Sequence, residues 1–490
     1  MSTQIANGDS RLSELSFWPR VREFAVPASM IETATARRLA GDWAGACAAA
    51  GIDVDLNLRS VARDYGRDVA ARVRADLRHL APDLLRWHMP RIAPDGLLRP
   101  GLTLALARYD GVGRGGGRPL QLVVRTPPAW ADAGQRISLA LWGGPRAGAA
   151  VGDEDASCRH PHPRPNRRFR LDLHRHLWDA SRAGELRVRS GGIHGFQGLQ
   201  GFRGFQGFQG FQGARGATFP SSRCAVDRWA DEARILLRAE GRSEGAVLVR
   251  LGGRHRLVLE LLGDSELRIS ATTKGRASAL PVLPDAATWV LPDLELLRNG
   301  AIEAGRLHPL VASALVPDHA PPSRPARPTR PSLTEDRAGQ PRLVECRGDR
   351  HRIGLVGGVL APLDHDPAEI RREELLAALT GTPLPCLQAI DEAHRHPACL
   401  PDVRERLCHG DTAGALAVVE GLLGPDAVLR DGALRDELEA AARQRITYGL
   451  FRAGLAGPGP GRVRFAYDLY ERGRSRDQRA HPRHATSPSP

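Results

Sequence analysis

Along the first hundred residues the apolar positions recur with helical spacing. The Ala-rich stretch ASMIETATARRLAGDWAGACAAAG predicts helices, as does RDVAARVRADLRHLAPDLLRW, where Val69, Val73, Leu77, Leu80 and Leu84 share a face. From residue 101 the period falls to two. LTLALARYD, PLQLVVRTPP and RISLALWGG read as strands of an antiparallel meander, separated by turns rich in Gly and Pro. FRLDLHRHLWD and ELRVRSG read as two further strands, with Phe169, Leu171 and Leu173 alternating with polar residues. CAVDRWADEARILLRAEG restores a helical face through Val226, Trp229, Ala230, Ala233, Leu236 and Leu237, and AVLVRLGG, HRLVLELLG and ELRISATT return to strands. RLVECRG and HRIGLVGGVL predict a hairpin. From Asp366 to about Gly454 the chain reads as helical, with Asp366, Pro367 and Glu369 as N-cap, N1 and N3 of a capping box.

These patterns predict a multidomain α+β chain with an N-terminal helical segment, a central, mainly antiparallel, sandwich-like β region with an embedded helix, and a C-terminal helical domain. The expected divisions are a flexible 1–27, a helical domain over 28–96 and a β-rich region over 101–316 with disordered insertions at about 144–167 and 191–220. A Pro/Arg-rich linker follows over 317–341, then a β-hairpin plus helical domain over 342–456 and a disordered tail over 457–490.

Two internal repetitions stand out. GDWAGACA at 41–48 and GDTAGALA at 410–417 differ only at Trp43/Thr412 and Cys47/Leu416. In each, Gly in the left-handed region ends one helix and Asp caps the next, which predicts a tight helix–helix corner. The corners read either as paired protein-binding hairpins or as convergent turn chemistry in Ala-rich helices. The second repetition, GFQGLQGFRGFQGFQGFQG over 195–213, cannot be a stable helix, because each Gly costs about 1 kcal/mol relative to Ala. Phe at every third position would fall on both faces of a strand, and a run this short without proline is no collagen. It reads as an expanded surface loop, with a sticky segment making weak multivalent contacts as the alternative.

Composition narrows the functional classes. The chain has 490 residues, 42% hydrophobic and 26% charged, with 53 Gly and 37 Pro, as expected of globular parts joined by linkers. No apolar run reaches membrane-spanning length and the first thirty residues lack the pattern of a secretory signal. With seven scattered cysteines this predicts a cytoplasmic protein with reduced thiols. The net charge of +13 points toward an anionic partner such as nucleic acid. That inference is weakened by the bias of the basic residues, since Lys274 is the single lysine and most arginines alternate with acids, a pattern that fits GC-rich bacterial coding.

Candidate chemistry is sparse. Lys274 follows no GxxxxG, which excludes a P-loop, and neither GxSxG nor HExxH occurs. GVGRGG at 111–116 is followed by a strand rather than the helix that dinucleotide binding needs, so it reads as a hairpin turn. Cys158, His160, His162, His174 and His176 offer zinc-type donors without finger spacing, and Cys386, His394, His396, Cys399, Cys408 and His409 read as an incidental group. In LDHDPAE, the acids Asp364, Asp366 and Glu369 flank His365, with capping accounting for Asp366 and Glu369. In SRPARPTRP the three-residue period puts Arg324, Arg327 and Arg330 on one ridge of a polyproline helix, able to contact an anion or a partner, or to act only as a spacer. The sequence therefore predicts no catalytic, cofactor or metal residues, and a non-enzymatic interaction or scaffold protein that contacts other proteins. An Arg-rich nucleic-acid binder is the alternative, and an enzyme with a site assembled from distant residues is the third reading.

Overall fold

The computed structural model describes residues 17–110, 119–132, 134–143, 160–191, 223–251, 255–262, 266–271, 279–318 and 342–457. The triplets at 195–213, GVGRGG at 111–116, Lys274, Cys158 and the Arg324/Arg327/Arg330 ridge lie outside them. Among the described residues no helix is long and apolar enough to cross a membrane.

A π-helical turn over Val21–Ala25 leads into α1 (Ala28–Leu39), α2 (Trp43–Ala49), the strand β1 (Ile52–Asp55), α3 (Leu58–Tyr65), α4 (Arg67–His79) and α5 (Pro82–His88). The long helical stripe read from 67 to 87 is broken at Leu80. Pro82 lacks the N–H that a continuing helix would use, so it occupies the first turn of a new helix, with Ala81 extended before it. A short ribbon, β2 (Arg91–Ile92) with β3 (Leu97–Leu98), is followed by β4 (Thr103–Tyr109), β5 (Leu120–Arg125) and β6 (Ile137–Trp142). The meander pairs antiparallel as expected, and β1 joins its edge parallel to β6, giving the order β1-β6-β5-β4. Strand β4 is buried along its length except at Arg108, and its Leu104, Leu106, Ala107 and Tyr109 lie in the first core. Val69, Val73 and Leu77 of α4 join this core with Leu84, Leu85 and Trp87 of α5, Leu104 and Leu106 of β4 and Val124 of β5.

The two strands expected at FRLDLHRHLWD and ELRVRSG do not form. Phe169, Leu171, Leu177 and Trp178 are all buried, but the backbone between them closes local turns, with His174 N bonded to Leu171 O and Leu177 N to His174 O. Arg170–Asp172 and Arg175–Asp179 ion pairs bind near neighbours in the chain, and ELRVRSG ends in the single-turn α6 (Leu186–Arg189). The same side chains also reach outward, Arg170 to Glu240 at 2.7 Å and Arg175 to Asp76, and the backbone meets its neighbours at single bridges, Arg170 with Ala105 and Asp179 with Leu80, where a strand would form a ladder.

A second core forms where α7 (Trp229–Ala239) packs on the antiparallel meander β7 (Gly245–Arg250), β8 (Arg256–Leu262) and β9 (Glu266–Ala271), closed by α8 (Asp285–Thr288). The helices α9 (Pro292–Arg298) and α10 (Pro309–Leu315) return to the first core. The last part comprises β10 (Arg342–Cys346), β11 (Asp349–Val356) and β12 (Val359–Pro362), then α11 (Pro367–Thr380), α12 (Pro385–Arg395), α13 (Leu400–His409), α14 (Thr412–Leu423) and α15 (Ala433–Ala453). The expected hairpin is thus a three-stranded meander, β10-β11-β12.

The two GDxAGAxA corners have the same geometry. Gly41 and Gly410 sit at φ +79° and +89°, and Asp42 and Asp411 accept from the backbone N–H of Gly45 and Gly414 at 2.8 and 2.9 Å. Arg37 and Arg406 extend the likeness beyond the octapeptide, donating to Asp42 and Asp411 at 2.9 and 2.8 Å. A Cβ on Gly45 or on Gly414 would lie 2.1 Å from the capping carboxylate, so the fifth residue of the octapeptide also favours Gly.

The C-terminal helices dock on the first unit through this second corner. Arg86 of α5, fully buried, donates from Nε to Ala25 O at 2.9 Å, from Nη1 to Gln135 O at 2.6 Å and from Nη2 to His409 O at 3.0 Å. At the other end of the contact the Tyr448 hydroxyl donates to Asp53 at 2.5 Å, Arg452 pairs with Asp55, and Phe451 packs edge-on against Trp130.

Two outcomes follow for stability. Arg86→Met leaves three carbonyls without a donor and should cost about 2–4 kcal/mol, read as a lowered urea midpoint. Burial pushes His88 down to about 4 and His409 down to about 3, and holds His174 and His176 well below the ordinary imidazole range. These rings stay neutral in the fold while the unfolded chain takes up protons, so this stability is fully present above about pH 6.5 and is lost as the pH falls toward 4 and 3. Denaturation midpoints at pH 7.5, 6 and 5 should therefore fall in that order.

Candidate metal centre

The candidate site lies at the start of the C-terminal part. Arg347 and Gly348, at φ +57° and +91°, form the two-residue turn between β10 and β11 and set the register Cys346↔Asp349 and Val344↔His351. In that register Cys346 and His351 are diagonal neighbours on one face, because alternate residues project to the same side. Ile353, two residues on, is 3% exposed on the same face and marks it as inward.

Two further donors arrive from beyond β12. The Asp364 carboxylate accepts from the Arg352 backbone N–H at 2.6 Å and from its guanidinium, and so holds the β12–α11 loop beside β11 and brings His365 against His351. His351 Nδ1 and His365 Nε2 are 2.6 Å apart, with the rings edge to face at 4.2 Å. Cys386 follows Pro385 in the first turn of α12, where the helix dipole favours a thiolate. Its thiol is hydrogen-bonded to Cys346, and burial, followed by that contact, pushes it up to about 11 in the absence of a cation.

The ligand atoms of Cys346, His351, His365 and Cys386 all lie within 4.8 Å of one another. Donors around a tetrahedral Zn²⁺ are separated by about 3.3–3.8 Å, so the four atoms need move by no more than about 1 Å to enclose the ion. Two thiols and two imidazoles are the donor set zinc favours, and each comes from a different segment around the β10–β11–β12 meander. The surroundings also suit a metal. His365 turns its other nitrogen, Nδ1, to Glu369 at 3.5 Å, and Glu369 accepts from Arg347 at 2.8 Å, so a carboxylate orients the ring from behind. The local core, Cys346, Ile353, Leu384, Cys386, Leu387 and Ile390, is too small to hold a meander and a helix unaided.

Of the groups considered from sequence, the structure joins parts of two and adds what neither contained. Cys386 belongs to the site, but His394 and His409 are buried elsewhere, Cys399 lies in another core cluster and Cys408 is exposed. Asp366 does cap α11 through Ala368 N at 3.2 Å, while Glu369, expected to complete the box, serves Arg347 and His365 instead. His160 is a satisfied core residue, bonded to Thr126 O at 2.8 Å, and His174 and His176 meet edge to face with ring centroids 5.7 Å apart. Among the described residues, Cys346, His351, His365 and Cys386 form the one such cluster. Cys346 and His351 were not singled out from sequence. Their signal was faint: a Cys and a His flanking an Arg-Gly turn, with ligands too far apart for the close pairs of common fingers.

The purified chain should carry about one Zn²⁺, and Cys386→Ser or His351→Ala should reduce this to about a tenth or less by elemental analysis. Chelation should expose 342–395 to proteolysis before the rest of the chain, and an unchanged digestion pattern would refute a structural role. Compared with protein-family models, curated proteins and solved structures, the chain matches none, so the metal reading stands on these four residues and their surroundings.

Proposed function

We propose that this chain is a non-enzymatic protein-interaction or scaffold protein whose C-terminal part is stapled by a structural Zn²⁺. The observation that carries the reading is the closed Cys₂His₂ donor set, since four protein ligands leave no position for water or substrate, whereas catalytic zinc keeps one open. A reducing compartment such as the cytoplasm keeps both thiols available to the metal.

Two features favour protein over nucleic acid as the partner. Helix α11, fastened to the metal centre at its N-terminus, has no buried residue and exposes Leu375 and Leu379, 67% and 86% accessible one turn apart, with Leu376 beside them. An apolar ridge of this kind suits the apolar side chains of another protein. Eight of the fourteen arginines between 342 and 457 are held in ion pairs, among them Arg347 with Glu369 and Glu373, Arg352 with Asp364, Arg404 with Glu437, Arg430 with Asp391, and Arg435 with Asp431 and Glu439. Phosphate binding needs such guanidinium groups free of carboxylates.

The reading is tested by crosslinking in the native cell, comparing the natural chain with Leu375→Glu/Leu379→Glu. The charged variant, still zinc-loaded, should lose specific protein crosslinks at least about tenfold. An identical crosslink profile, or recovery of nucleic acid in place of protein, would overturn it.

A further inference from the structure

Among the described residues, helix α11 (Pro367–Thr380) is tied to the body by one side. Glu369 and Glu373, one turn apart, hold Arg347 of the β10–β11 turn, and Ile370 packs on the small core around Cys346 and Cys386. With about 3.6 residues per turn, these residues share a face with the half-buried Ala377. Arg371, Leu375 and Leu379 fall on the opposite face, and all three are exposed.

The outer half of the helix has nothing to lean on. Beyond Glu373 no side chain is buried or bonded to another element among the described residues, and the Thr380 hydroxyl turns back to Leu376 O. A helix of 14 residues is marginal in water on its own, so this half needs an apolar neighbour.

The outer face is also polarised. Arg371 and Arg372 occupy its N-terminal half and the leucines its C-terminal half. Arg371 has no ion pair among the described residues, and Arg372 donates to Ala368 O at 3.2 Å. At the other end the Ala377 carbonyl is capped by the Gly381 N–H at 2.8 Å, which leaves the carbonyls of Ala378, Leu379 and Thr380 without a backbone donor among the described residues. Those carbonyls are the negative end of the helix dipole.

We propose that α11 pairs antiparallel with α11 of a second copy of this chain. The inference rests on the reading of α11 as a protein-contact helix and names its partner. With the two-fold axis level with Ala377, Leu375 of each copy meets Leu379 of the other, and Arg371 and Arg372 come level with the residues just past the last turn of the opposite helix. In a two-fold pair one surface supplies both halves of the complement. The leucines bury one another, and the arginines lie beside the uncapped carbonyls. A parallel pair would set Arg371 and Arg372 against their own copies. One helix pair is small beside a standard interface of about 1,600 Å², so the association is weak and depends on concentration.

The test is sedimentation of the full, zinc-loaded chain from about 1 to 200 µM, over which the mean mass should rise toward that of two chains. Leu375→Glu/Leu379→Glu should weaken self-association at least about tenfold. Leu379→Gln, which retains helix propensity, and Arg371→Glu, which puts a carboxylate beside the partner's carbonyls, should each weaken it about threefold. Circular dichroism should be unchanged in all three, since the positions are exposed. A natural chain that stays monomeric across the range, or association within about twofold of the natural chain in Leu375→Glu/Leu379→Glu, would overturn the pairing, and an undiminished Arg371→Glu would overturn its antiparallel sense. Leucine-dependent crosslinks to other proteins in the cell would still support the wider reading, so the two can fail separately.

Discussion

The assembly of this chain turns on a buried guanidinium that has no carboxylate partner. Arg86 lies on α5, a helix enclosed almost completely, and its three hydrogen bonds run to carbonyls from the π-helical turn, the loop before β6 and the end of α13. Burial lowers its pKa to about 10, which leaves it charged at neutral pH. A cation held only by carbonyl dipoles is tolerable when each dipole is fixed in place. Two of the three are visibly fixed: Asp132 braces the Gln135 turn through both its carboxylate oxygens, and Gly410, pressed against Gly134, ends α13 in the left-handed region. A residue with a Cβ at 410 would strike the Gly134 carbonyl at 1.9 Å and force the contact apart.

The docked part has little apolar burial of its own near β10–β12, and this makes sense of the four converging donors. Six buried residues cannot offset the ordering of a three-stranded meander and the loop to α11. A metal held by Cys346, His351, His365 and Cys386 would tie together four segments spread over residues 346–386, and its binding free energy would add to folding. Asp364, Glu369 and Arg347, which resemble ordinary surface charges in isolation, become the second layer that aims the two imidazoles.

The elements most legible in the sequence were those governed by near neighbours. The α7 stripe from Trp229 to Leu237, the strands β4 to β9 and the Asp366 cap of α11 follow from side-chain periodicity and backbone bonding within a few residues. The twin corners were legible for the same reason, although Arg37 and Arg406 needed the structure to show that the likeness extends past the octapeptide. The misreading of 168–190 is equally instructive. Alternating Phe169, Leu171 and Leu173 have strand period, but the backbone between them closes local turns and meets the neighbouring chain only at single bridges, Arg170 with Ala105 and Asp179 with Leu80. Periodicity reports which side chains seek burial and does not report whether a neighbouring strand is free to receive them.

By itself, then, the sequence determined the α+β composition, most helix and strand identities, both Gly-Asp corners and the lack of P-loop, nucleophile-elbow and zincin motifs. Each of these is a property of residues close together along the chain. Only the tertiary structure decided that β1 joins the sheet parallel to β6, that Arg86 links three segments, and that Cys346, His351, His365 and Cys386 face a common centre. Those depend on contacts between residues tens to hundreds of positions apart, made only when loops close and cores pack, and no local pattern encodes which distant side chains will meet.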